Sequence, residues 1–252
     1  MSRGICCAIQ KGGTGKTSLS GNLARIIANK GVRVLLIDAD PQGSLTSWVL
    51  TTTPAHELAD VLMGKVTLPE AIVPIPQGGK DHLGLVPSFG IGGNLRVYAE
   101  TAMVREPFIC ADLTAEAGRL GWDLILYDTH PGDTHLERGV ILGCGETLMP
   151  VTLEYLSIDG IEIFKAFLRE IEKGFRHRIK ADKLVLSMVN RSFRRHGMYG
   201  ERAQGLGYQV FEIAQDSKVP EAQIVHQFLS DYDPASKVIP ELERLAGVLM
   251  EA

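Results

Sequence analysis

A run of small residues closed by Gly-Lys-Thr, Lys11-Gly12-Gly13-Thr14-Gly15-Lys16-Thr17-Ser18, sits between an apolar stretch and an amphipathic one. It constrains the fold more than any other feature of the chain. Such a loop lets consecutive backbone N–H groups turn inward, and the positive end of the following helix adds to them, so the segment is a cradle for an anion. In a cradle of this type Lys16 reaches the β- and γ-phosphates of a nucleotide and the Thr17 hydroxyl ligates Mg2+. Gly12, Gly13, Thr14, Gly15, Lys16, Thr17 and Ser18 are therefore the expected phosphate contacts. The cradle requires a strand before it and a helix after it, which selects an α/β chain.

The remaining pattern agrees. Apolar runs alternate with amphipathic stretches, as in a mostly parallel twisted sheet flanked by helices. Strands are expected at Ile5–Ile9, Val32–Asp38, Leu83–Val86, Trp122–Asp128, Thr147–Val151, Lys183–Val189 and Tyr208–Ile213. Helices are expected at Thr17–Lys30, near His56–Met63, in parts of Leu95–Leu120, and at Ile158–Lys173, His196–Gly205 and Pro234–Met250. Gly31 is placed to stop the first helix, and Ser157 or Asp159 to open the one after Val151. The segment Thr51–Asn94 is the least regular. With no repeat, low-complexity tract or linker, one domain over residues 1–252 is expected.

Composition closes off several classes. The formal charge is −4, so no global basic field advertises nucleic acid, and any such surface must be local. The apolar stretch Ile5–Ile9 is too short for a signal-peptide core or a membrane span. The four cysteines, Cys6, Cys7, Cys110 and Cys144, form no CxxC pair and read as reduced structural thiols, which fits a cytoplasmic location.

Two further blocks end apolar strands in carboxylates. Leu35-Leu36-Ile37-Asp38-Ala39-Asp40 places two carboxylates two residues apart, hence on one side of a strand at the edge where open α/β sheets bind ligands. Leu124-Ile125-Leu126-Tyr127-Asp128 ends in Asp128, a Walker B arrangement in which the carboxylate holds Mg2+ through water. In the loop, the first glycine of the ordinary G-x-x-x-x-G-K-S/T pattern falls on Gln10, and a second lysine, Lys11, appears instead. The segment thereby resembles the deviant Walker A motif, K-G-G-x-G-K-S/T, of the ParA/MinD family of P-loop ATPases. The resemblance implies ATP and Mg2+ as ligands and an ATP-bound homodimer, with Lys11 crossing to the partner's nucleotide. It implies that Leu35–Gly43 is the Walker A′ and switch I segment, in which Asp40 orients the attacking water and Asp38 has a Mg2+-shell or structural role, and that Asn190 contacts adenine. No Asn-Lys-x-Asp motif follows Asn190, so ATP is favoured over GTP. The family's Asp-Thr-Pro-Pro is here Asp128-Thr129-His130-Pro131, and His130 reads either as a neighbour of the switch or as an ordinary loop histidine.

Within the family, the likeness is to ParA-type (Soj-like) DNA-partition ATPases. Between Lys173 and Arg195 stand eight basic residues and one acid, a segment of +7 in a chain of −4. On charge alone this is either a phosphate-backbone contact or a solvated face. The resemblance favours nonspecific DNA binding through Lys173, Arg176, Arg178, Arg191, Arg194, Arg195 and Lys218, with a ParB-like protein stimulating slow hydrolysis. The tail Pro240–Ala252 carries three acids and one arginine, unlike a membrane-binding helix, so no membrane partner is expected. Cys144 has no partner motif for an iron–sulfur cluster. No helix-turn-helix precedes the loop, so operator binding is not expected. The alternative is a ParA/MinD-like positioning switch that acts on a protein scaffold or membrane without DNA.

Overall fold

A computed structural model of the chain describes residues 2–76, 82–152, 158–190, 205 and 207–251. Within them, strands β1 (Arg3–Cys7), β2 (Val34–Ala39), β3 (Val73–Pro74), β4 (Leu83–Val86), β5 (Leu124–Thr129), β6 (Glu146–Thr152), β7 (Lys180–Val189) and β8 (Gln209–Ala214) form one sheet. Its order is β3-β4-β2-β5-β1-β6-β7-β8, and every pairing is parallel except β3 with β4. Strands β2 and β5 are buried along their whole length and β6 at all but its last residue, which is why they read as apolar runs rather than as alternation.

Helices cover both faces: α1 (Lys16–Asn29), α2 (Ser44–Val49), α3 (Leu58–Leu62), α4 (Leu68–Ala71), α5 (Leu95–Thr101), α6 (Ile109–Arg119), α7 (His135–Cys144), α8 (Ile158–Phe175), α9 (Lys218–Ile224), α10 (Leu229–Tyr232) and α11 (Val238–Glu251). Alternate residues of each strand feed two cores. Cys6, Ile37, Ile125 and Tyr127 join α5 to α8, whereas Ile5, Leu36, Leu126 and Leu148 join α1, α10 and α11. The tail helix α11 buries Leu242, Leu245 and Leu249 in this second layer, so its apolar stripe is already occupied. Among the described residues no helix is long and apolar enough to cross a membrane.

All seven expected strands are present, with ends shifted by up to three residues. The first ladder stops at Cys7 because the chain there turns into the phosphate loop. Gly31 ends the first helix as expected, at φ +89°. The expected Ser157 cap, and all of the expected helix His196–Gly205 except residue 205, lie outside the described residues. The two-residue β3 is too short to leave a periodic signal.

Helix α7 is the instructive surprise, because Gly139 and Gly143 make its sequence read as turns. They are there for close approach. A Cβ on Gly143 would lie 2.6 Å from the Cys110 carbonyl carbon on α6, and one on Gly139 would lie 2.6 Å from Met103 Cε. Gly247, inside α11, faces nothing within 4 Å. Gly143→Ala is expected to destabilise by about 1–3 kcal/mol through overpacking, despite alanine's better helix propensity. Gly247→Ala is expected to stabilise by about 0.5–1 kcal/mol. Urea unfolding of both variants checks the pair, and a stabilised Gly143→Ala would refute the close-packing account.

Candidate nucleotide site

Strand register assembles the site. In the parallel ladders Asp128 of β5 lies directly between Asp38 of β2 and Cys7 of β1, so three carboxyl-end positions stand in one row. The phosphate loop leaves β1 a few residues later and passes over that row. Gly13 and Gly15 hold φ of +73° and +83°, backbone that glycine adopts without strain. Gly15 is the N-cap of α1, and no side chain caps the helix's first turn. Those N–H groups and the helix dipole are therefore directed at whatever the loop encloses.

Lys16 is 6% exposed, and its Nζ donates to the Lys11 carbonyl at 3.0 Å. Burial lowers its pKa, against the pull of Asp128 and Asp40. Lys11, by contrast, is exposed on the loop's outer rim. Asp128 is fully buried, and Ser20 Oγ on the second turn of α1 lies 3.1 Å from its Oδ1. Its Oδ2 is buried without a hydrogen-bond partner, as is the Thr14 hydroxyl. Burial pushes Asp128 up to about 7, with Thr17, Ser20 and Lys16 pulling the other way and Asp40 reinforcing the rise.

Asp38 is also fully buried. Its Oδ2 accepts the Thr46 N–H at 2.8 Å and the Thr46 O–H at 2.6 Å, and its Oδ1 accepts the Asp40 N–H at 3.2 Å. Burial and the neighbouring Asp128 charge raise its pKa to about 8, against the Thr46 hydrogen bonds. Asp38 thus carries the structural half of its expected role: it fastens α2 and the residue before Pro41. Asp40 is 7% exposed and accepts the Gln42 N–H at 2.7 Å, which shapes the turn after β2.

The orphaned Asp128 oxygen and the Thr17 hydroxyl supply oxygen donors of the type Mg2+ takes. Among the described residues there is no group of three or more His, Cys, Asp or Glu side chains that could hold a metal ion. Cys6, Cys7, Cys110 and Cys144 are free thiols.

Beside the loop lies a cleft of about 840 Å3, walled by Gly15 and Ser18 on one side and by the ends of β7 and β8 on the other. Asn190 is among the residues lining it. The register of β7 shifts between Leu186 and Val189, and Met188 takes φ +56° there, with its Cε 3.5 Å from where a Cβ on Gly15 would lie. Gln223 of α9 donates to Ser18 Oγ at 2.8 Å, joining the cleft's far wall to α1. Thr46, Ser20, Met188 and Gln223 were not anticipated. Ser20 has a legible signal, one helical turn after Lys16 on the same face. Met188 has none.

His130 sits on the loop after Asp128 with Nδ1 3.9 Å from Glu137 Oε1, so it faces α7. Among the described residues, the basic side chains named above fall in two places. Lys173, Arg176 and Arg178 are exposed where α8 leads into β7, at the amino edge of the sheet. Lys218 lies on α9, beside the cleft at the opposite edge, paired with Glu221 at 2.8 Å. The ten residues of β7 separate the two edges by about 30 Å. Arg191, Arg194 and Arg195 lie outside the described residues. Lys183, part of the +7 count, is 2% exposed and bound to Glu146 and Asp182, so it offers nothing to a ligand.

Fold, loop and row of carboxylates define a P-loop nucleotide-binding protein of the deviant Walker A class. The sequence model of a family described as an AAA domain matches residues 2–181. An uncharacterized protein of Borreliella burgdorferi is 34% identical over 251 residues, covering 97% of this chain and 98% of that one. The chromosome-partitioning ATPase Soj of Thermus thermophilus is 28% identical, covering 98% and 95%. A Borrelia burgdorferi protein assigned to plasmid partition, solved with AMPPNP, superposes with a TM-score of 0.83 at 20% identity, covering 100% and 99%. The chain belongs to the ParA/MinD family and is Soj-like within it.

The raised carboxyl values fix the sign of a pH effect. Both groups titrate near 4 in the unfolded chain. Relative to the unfolded chain, the folded nucleotide-free protein therefore loses stability progressively as pH rises from about 4, and the loss is complete once pH has passed about 7 for Asp128 and about 8 for Asp38. Its melting temperature is expected to fall between pH 6 and pH 8 by several degrees, roughly the effect of 1–2 kcal/mol. Asp128→Asn should remove much of that fall. An unchanged slope in the variant would place the titration elsewhere.

Proposed function

We propose that this chain is an ATP-dependent partition ATPase that dimerises with ATP bound, holds nonspecific DNA in that state, and releases it on hydrolysis. The observation that supports this most is the division of labour between two lysines of one loop, Lys16 buried within it and Lys11 exposed on its rim. A buried lysine serves the protomer's own phosphates, and an exposed one on the same rim stands where a second copy's phosphates would meet it.

The chain's residues account for the steps of phosphoryl transfer. The N–H groups of the loop and of the first turn of α1 hold the phosphates, and Lys16 neutralises them. Thr17 and Asp128 would hold Mg2+, with Asp38 fixing the adjoining turn. That ion would supply positive charge to offset the charge that develops on the phosphate oxygens. Asp40 orients the attacking water, and each protomer's Lys11 reaches the other's nucleotide. Positioning and charge neutralisation suffice for such a reaction, so no covalent nucleophile is needed.

The same reading makes the active unit a cytoplasmic, nucleoid-associated homodimer of one domain, stimulated by a ParB-like protein. The relatives named for partition support it, as does a tail helix whose apolar stripe is packed against the sheet. The DNA contacts are proposed on the basic residues already named.

Three measurements test this reading. Asp40→Ala is expected to keep ATP-dependent dimerisation while turnover falls at least a hundredfold, roughly the cost of losing a positioned catalytic group. Loss of dimerisation would make Asp40 structural. Retention on duplex DNA is expected only with ATP, weakening steeply with salt. Charge reversal of Arg191, Arg194 and Arg195 should lower the slope of log affinity against log salt by about three per protomer. Reversal of Lys173, Arg176 and Arg178 tests the other set. Unaltered retention in both sets would make these residues a solvated face, whereas no retention in any nucleotide state, with ATP-driven dimerisation intact, would move the assignment to a switch on a protein scaffold.

A further inference from the structure

Switch residues Asp40 to Gly43 are not a free-standing loop. They lie against the segment that follows β4, residues 87–94, so closely that neither backbone leaves room for a side chain. A Cβ on Gly43 would lie 2.8 Å from the Ser88 carbonyl oxygen, and one on Gly90 would lie 2.6 Å from the Gln42 carbonyl oxygen. Both glycines hold positive φ, +65° and +69°, so the contact uses the one residue type that fits it.

Two buried side chains hold this second loop in place. The Thr46 hydroxyl accepts the Ser88 N–H at 2.9 Å while donating to Asp38, whose other oxygen accepts the Asp40 N–H. Glu57 is 0% exposed. Its Oε2 accepts the Phe89 N–H at 3.0 Å and its Oε1 the Asn94 N–H at 2.6 Å, so one carboxylate grips both ends of the loop. Hydrogen bonds to a buried carboxylate are strong ones, and their loss leaves unpaired N–H groups inside the protein. The 87–94 loop is thus a rigid buttress behind the switch.

We propose that Glu57 and Thr46 are positioning residues for hydrolysis: they fix the 87–94 loop, which in turn fixes the Asp40–Gly43 turn and with it the Asp40 carboxylate. Neither residue touches the nucleotide loop in the structure, so their effect falls on turnover and not on ATP affinity. The inference rests on the assignment of Asp40 as the water-orienting group. Displacement of such a group by a fraction of an ångström to an ångström costs about ten- to a hundredfold in rate.

The test compares Glu57→Gln, Thr46→Val and Thr46→Ser with the unaltered protein in ATP turnover and in ATP binding measured by calorimetry. Gln cannot accept at both oxygens, and Val keeps Thr46's shape without its hydroxyl. Both are expected to lower kcat about tenfold or more with the ATP Kd within twofold, and Thr46→Ser is expected to restore the rate. Gly90→Ala, which displaces Gln42 without touching any buried acid, should reproduce the kcat loss if either of the first two variants fails to fold. Unchanged kcat in the folded variants, or kcat and ATP affinity lost together, would overturn the proposal. Asp40→Ala measured alongside separates the two levels. Turnover surviving in Asp40→Ala sinks the assignment beneath the proposal, whereas turnover lost there but kept in Gly90→Ala sinks only the buttress.

Discussion

Two buried carboxylates, Asp38 and Asp128, stand side by side at the carboxyl edge of the sheet, and the surrounding structure answers that placement. Like charges in an apolar interior are costly unless hydrogen bonds, counter-charges or a metal satisfy them. Asp38 is satisfied by Thr46 and the Asp40 backbone, and so anchors α2. Asp128 is satisfied on one oxygen by Ser20 and faces the phosphate loop with the other. Lys16 supplies the nearest positive charge. The phosphate loop, the switch turn and α2 are thus arranged about one electrostatic problem that Mg2+ and a nucleotide are suited to solve.

The legible part of this arrangement was the part written in contiguous residues. The loop Lys11–Ser18, the Asp38/Asp40 pair and Asp128 each close an apolar run, and the parallel sheet needed only strand order and register to align them. What stayed hidden depends on contacts between distant segments. Glycine in a sequence signals a turn, yet in α7 it signals a helix packed against another at backbone distance. Glu57 and Thr46 look like ordinary surface-helix residues until the 87–94 loop folds over them. Helices of four to seven residues, such as α2, α9 and α10, are shorter than the windows in which a helical period declares itself.

The basic segment shows how a linear count misleads. Eight cations between Lys173 and Arg195 look like one patch on paper. A ten-residue strand, Lys180–Val189, runs through the middle of that segment, with Lys173, Arg176 and Arg178 standing before its amino end. One member, Lys183, turns inward to a buried network with Glu146 and Arg3, where burial raises the Glu146 pKa but Lys183 and Arg3 outweigh it and lower it overall. Those three residues tie β1, β6 and β7 together at the end of the sheet away from the nucleotide, which is a stabilising task unrelated to any polyanion.

The uncapped first turn of α1 has a consequence for the protein's lifetime. With no side chain to satisfy those N–H groups, the ligand that fills the loop completes the fold as well as the site. By mass action, a nucleotide present at a hundred times its dissociation constant adds about 2.7 kcal/mol to global stability. The empty form is then the one most exposed to proteolysis and aggregation. Nucleotide supply would set not only how many molecules are switched on but how many survive to be switched.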